Sequence, residues 1–127
     1  MPSRQRVQDL ISRVQAGDIL GAFAEFYADD VAMQENANEP TRGKDANRTR
    51  EEAFVASVAE VNENRADSFV VDGDRAAIQW VLEFTGQDGV RRRMDQLAYQ
   101  TWRGDHIVHE RFYYDPTAVV AGAAATA

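Results

Sequence analysis

The sequence predicts an α+β domain in which three N-terminal helices pack on a curved antiparallel sheet. Three observations predict it. Apolar residues recur with a helical period as far as about Arg65 and alternate beyond it. The alternating segments are joined by short turns such as Asp72-Gly73-Asp74, so successive strands are antiparallel neighbours. A chain of 127 residues, 44% of them hydrophobic, suffices for one domain with one core.

The elements follow in order. Val7, Leu10, Ile11 and Val14 share one helical face, which places a first helix over Arg4 to Ala16. Gly17 ends it and Asp18 caps a second helix, whose stripe is Ile19, Leu20, Phe23 and Phe26. That helix stops near Tyr27 to Asp30 and leads to a short strand, Val31 to Asn36. Asn36 to Gly43 reads as a loop. Asp45 is expected to cap a third helix of about 18 residues, with Phe54, Val55, Val58 and Val61 facing inward. Four strands follow near Ala66–Val71, Arg75–Thr85, Val90–Trp102 and His106–Tyr114, forming a meander. The domain is expected to occupy residues 1–116, and the alanine-rich segment 117–127 to be a flexible tail.

Composition narrows the function classes. The net charge of −7 lacks the basic footprint that nucleic acid requires, so no nucleic-acid partner is expected. The one basic run, Arg91 to Arg93, reads as a solvated strand end, or else as a lure for an anionic ligand at a pocket mouth. Absence of cysteine removes thiolate chemistry and cysteine-held metals. No stretch approaches the roughly 20 apolar residues of a membrane span, and Met1-Pro2 opens onto a polar, arginine-bearing helix. A cytoplasmic protein without a membrane partner is therefore expected. His106 and His109, three apart on a strand, point to opposite faces, and no metal site or cofactor is expected.

Strand alternation selects the inward side chains. Ile78, Trp80, Leu82 and Phe84 form one face of their strand and must meet the helices. In the next strand Met94, Gln96, Ala98, Gln100 and Trp102 are taken as inward, because the other register buries Arg93 and Asp95. In the last strand Val108, Glu110, Phe112 and Tyr114 face in, opposite Ile107, His109, Arg111 and Tyr113. A helix-covered face that mixes Trp80, Trp102, Phe112 and Tyr114 with Gln96, Gln100 and Glu110 reads as a pocket wall, since a packed core is drier.

Gly17-Asp18, then Phe26-Tyr27-Ala28-Asp29-Asp30-Val31, then Gly43-Lys44-Asp45, and the ending Ile107 to Asp115 resemble the ordered landmarks of the SnoaL-like superfamily, which includes the ketosteroid-isomerase-like and nuclear-transport-factor-2-like proteins. The resemblance spans Val7 to Pro116 and implies a cone-shaped fold around an internal pocket. It puts Glu35 where the isomerases keep their proton-shuttling carboxylate. The isomerase oxyanion donors fall at Leu10 and Ala98, which cannot donate a hydrogen bond, so the usual steroid isomerisation is not expected. The cyclase histidine and acid fall at Glu110 and Phe112, and the epoxide-hydrolase acid–arginine–acid set meets Phe112, Trp80 and Leu82. Those activities are not expected in their usual form either.

Two function classes follow. The first is a cofactor-free isomerase, cyclase or dehydratase acting on a small, largely apolar carbonyl compound. Glu35 and Glu110 would be its acid–base carboxylates, with Trp80, Gln96, Gln100, Trp102, Phe112 and Tyr114 binding the substrate. The second is a non-catalytic ligand-binding or dimerisation domain. Glu35 would then pair with an arginine such as Arg42 or Arg48, and Glu110 would be held by Gln96, Gln100 or Tyr114. Both classes carry the expectation of a homodimer through the outer sheet face, at Val81, Leu97, Tyr99, Ile107 and Tyr113.

Overall fold

The computed structural model describes residues 1–118. Helix α1 runs over Arg4–Gln15, and the Ser3 hydroxyl accepts from the amide of Arg6 at 3.0 Å to cap it. Gly17, at φ +90°, takes the left-handed turn that a side chain would resist. Asp18 then caps α2 (Ile19–Phe26) by accepting from the Gly21 amide at 3.0 Å. Strand β1 spans Tyr27–Glu35, four residues earlier than its alternation suggests, because Tyr27 itself leaves the helix in extended conformation. A two-residue strand β2, Thr41–Arg42, lies within the segment read as loop.

Helix α3 occupies Lys44–Ser57. Gly43 precedes it without a side-chain cap, and Asp45 sits in the first turn, so the expected Asp45 cap is corrected. The helix also ends sooner than its apolar period implies. Val58 and Val61 belong to β3 (Val58–Asp72), where they pair with Gly86 and Phe84 of β4 (Arg75–Gly86). Satisfying the backbone of β4 along its length outweighs the local helical pattern. Val55 is 38% and Val61 53% exposed, whereas Phe54 faces inward from α3 as expected, joined there by Asn47 and Glu51.

β5 (Arg91–Arg103) and β6 (His106–Tyr113) complete a six-stranded sheet of order β2-β1-β6-β5-β4-β3. The meander β3 to β6 is antiparallel as expected. β1 returns along β6 in parallel, which makes the sheet mixed. Register shifts in the β3–β4 and β5–β6 ladders bend the sheet, and the helices fill its concave side. A 3₁₀ turn at Pro116–Ala118 closes the described chain, and the rest of the segment expected to be a tail lies outside the described residues.

One of these shifts corrects an inward assignment. Thr101 pairs with His109 but Trp102 with Ile107, so Val108 is an extra residue on β6. The bulge lets Ile107 and Glu110 both point inward, and Ile107 is fully buried with Trp102 in the core. Val81 is likewise only 3% exposed, flanked across the ladder by Arg65 and Asp95. Neither residue contributes to an exposed outer patch, whereas Tyr99 and Tyr113 do.

Candidate active site

A cavity of about 630 Å³ lies between the helices and the concave face of the sheet. Leu10, Phe23, Met33, Phe54, Trp80 and Phe84 make much of its wall apolar. Glu35, Glu51 and Glu110 all open onto it.

Glu110 is the deepest of the three, at 2% exposure. The β6 bulge aims it inward opposite Met33 of β1. Its Oε1 accepts from the Tyr27 hydroxyl at 2.5 Å and its Oε2 from the Gln100 amide Nε2–H at 2.6 Å. Behind Gln100, the Trp102 Nε1–H donates to Oε1 of that amide at 3.0 Å. Loss of hydration raises the Glu110 pKa to about 7. The two hydrogen bonds favour the anion but do not offset burial, and the neighbouring Glu51 charge adds to the rise. The Tyr27 phenol is pushed well above its ordinary value by burial and by the Glu110 charge.

Glu51 comes from the inner face of α3. Burial raises its pKa, Arg50 opposes this, and Glu35 adds to it. Glu35 stands at the end of β1, diagonal to Glu110, since Glu35 pairs with Phe112 and Met33 with Glu110. Its carboxylate meets Arg50 at 3.5 Å with both side chains about two-fifths exposed, which marks where the cavity reaches solvent. The pairing with Arg42 or Arg48 considered from sequence gives way to Arg50, two residues beyond Arg48 on α3. Tyr114, also at this end, is raised by burial and by Glu35.

Trp80, Gln96, Gln100, Phe112 and Tyr114 line the cavity together with Glu35 and Glu110. Trp102 does not. It is 2% exposed in the core behind Gln100, so its place as a ligand-contacting residue is corrected to support of the wall. Of the holders proposed for Glu110, Gln100 serves, and the second is Tyr27 in place of Gln96 or Tyr114. Sequence reading missed Tyr27, Arg50 and Glu51. Glu51 was findable, because it lies three residues before the inward Phe54 on the same helical face. Asp95 stays on the outer face beside Arg93. His106 is exposed at a turn and His109 half-buried. Arg92 reaches the cavity but is tied to Asp88 at 2.8 Å, while Arg91 and Arg93 pair with Glu83 and Glu63.

A model of the SnoaL-like domain matches residues 7–124. No functionally curated protein matches the chain. Among solved structures, a Mesorhizobium loti protein named for SnoaL-like polyketide cyclases is 28% identical. It superposes with a TM-score of 0.79 over 90% of this chain and 100% of its own. A Pseudomonas putida structure named for polyketide cyclases is 20% identical, with a TM-score of 0.75 over 95% and 99% of the two chains. An epoxide hydrolase from M. tuberculosis is 15% identical, with a TM-score of 0.73 over 91% and 84%. The last two likenesses are of fold alone.

Proposed function

The chain belongs to the SnoaL-like family, and on that premise we propose that it is a cofactor-free acid–base enzyme acting on a small, largely apolar carbonyl compound. The observation that carries this reading is the opening of Glu35, Glu51 and Glu110 onto one mainly apolar cavity. Glu35, positioned by Arg50, accepts the proton from the carbon beside the carbonyl. The Glu110 end of the cavity receives the oxygen, on which negative charge develops. Return of the proton at another carbon is isomerisation, and attack of the enolate carbon on an internal carbonyl is cyclisation. Polyketide cyclase appears in the names of relatives with this fold.

Deuterium exchange at the activated carbon of 2-tetralone in D₂O, followed by proton NMR, tests the reading. Wild type is expected to accelerate exchange over buffer, and Glu35→Gln to lose about a hundredfold or more of that acceleration. Saturable binding of the ketone without exchange would identify a ligand-binding domain and reject the enzyme.

We also propose that two copies associate through the outer sheet face, where Leu97 lies beside the exposed Tyr99 and Tyr113. Sedimentation should give a dimer at micromolar concentration that Tyr113→Glu dissociates. A monomeric wild type overturns this.

A further inference from the structure

Trp102, Gln100 and Glu110 form a line that decides where a proton on Glu110 can sit. An indole N–H only donates. The Gln100 amide must therefore turn Oε1 to Trp102, at 3.0 Å, and its Nε2–H to Oε2 of Glu110, at 2.6 Å. With the amide fixed this way round, Oε2 of Glu110 is always an acceptor. Oε1 faces the Tyr27 hydroxyl at 2.5 Å, a group that can either donate or accept. Any proton on Glu110 therefore sits on Oε1, and its arrival turns the Tyr27 O–H away from Glu110.

We propose that Tyr27 is the cavity's partner for a ligand oxygen, and that the Tyr27–Glu110 pair accommodates either a carbonyl or a hydroxyl by moving one proton. With Glu110 ionised, Tyr27 donates to Oε1 and presents only lone pairs to the cavity, the match for an enol or phenol O–H. With the proton on Oε1, Glu110 donates to the tyrosine oxygen and the Tyr27 O–H enters the cavity, the match for a ketone oxygen. Enolisation carries the pair from the second state to the first. The Tyr27 proton passes to the ligand oxygen, the Glu110 proton passes to Tyr27, and the carbon proton goes to the base, so protons and charge balance. This last step rests on the acid–base reading above, whereas the two binding modes do not.

Calorimetric titration of 2-tetralone and 2-naphthol at pH 6 and pH 8, where both are neutral, tests the assignment. Glu110 changes state over this interval. The ketone is expected to bind about tenfold more weakly at pH 8 than at pH 6, and the naphthol about tenfold more tightly. Tyr27→Phe and Glu110→Gln should each abolish these opposed trends, the second serving if the first fails to fold. The other titratable groups lining the cavity are Glu35, Arg50, Glu51, Arg92 and Tyr114. Glu51→Gln should move the midpoint downward and keep the trends opposed, because the Glu51 charge raises Glu110. Parallel trends for the two probes, or opposed trends that survive in Tyr27→Phe, would overturn the Tyr27 assignment and leave the acid–base reading standing. Failure of both probes to bind would overturn both.

Discussion

Glu110 meets the Tyr27 hydroxyl in the interior of the protein, and none of the ion pairs among the described residues includes it. Folding therefore favours its protonated form, and the sign of the stability effect follows. Between the ordinary glutamate range and about 7 the native state holds a proton that the unfolded chain has released. Stability should fall as pH rises through that interval and level off above it. The fall is about 3 kcal/mol, at roughly 1.4 kcal/mol per pH unit. Glu51, raised in the same direction, adds to it. Urea unfolding at pH 5, 6, 7 and 8 measures the slope, and Glu110→Gln should flatten most of it. Superimposed profiles would show that another group titrates. The lowered carboxyls Asp30, Glu83 and Asp88 act in a separate, acidic window, where stability is lost as pH falls.

Trp102→Phe should destabilise through an orphaned acceptor. The variant keeps an aromatic ring but leaves Oε1 of Gln100, a residue 1% exposed, without its donor. The lost hydrogen bond and the smaller ring together cost about 2–4 kcal/mol. Freed of the indole, Gln100 holds the Glu110 anion less securely, so the Glu110 titration observed by carbon NMR should move upward. Adding Gln100→Leu removes the orphan, and the double variant should be less destabilised than the two singles summed. Strict additivity would show that the Trp102–Gln100 contact contributes nothing of its own.

The sheet faces were legible wherever strands alternate without interruption. Ile78, Trp80 and Phe84 on β4, and Ala98, Gln100 and Trp102 on β5, are buried as the period of two requires. The pattern could not show the bulge at Val108, because one extra residue leaves no mark in a run as mixed as His106 to Phe112. It hid the burial of Ile107 while leaving Glu110 rightly placed. The boundary at Ser57 was hidden for a different reason: Val58 and Val61 suit a helix and a strand alike, and pairing with β4 decides between them. At the site, Glu35 and Glu110 were visible as carboxylates on inward positions. Tyr27 was not, because its role depends on the exit of the chain from α2. The Lys44 ammonium fixes that exit by donating to the carbonyls of Ala24 at 2.8 Å and Tyr27 at 2.6 Å.

Asn47 should be among the least replaceable residues outside the cavity. It is completely buried at the start of α3. Its amide nitrogen lies 2.9 Å from the carbonyl oxygens of Thr41 and Gly43 and 3.3 Å from that of Val31. One side chain thus ties the helix that carries Arg50 and Glu51 to both β1 and β2. Asn47→Ala removes the donor from these buried carbonyls and opens a small void, at a cost of about 2–4 kcal/mol. Asn47→Asp keeps the shape but turns a carboxylate toward the same oxygens. It should therefore be the worse variant at pH 7 and recover as pH falls and the carboxyl gains a proton. Thermal unfolding of the three proteins at pH 5 and pH 7 separates the two effects. If Asp and Ala are equally harmful at both values, the amide donors are not what the site requires.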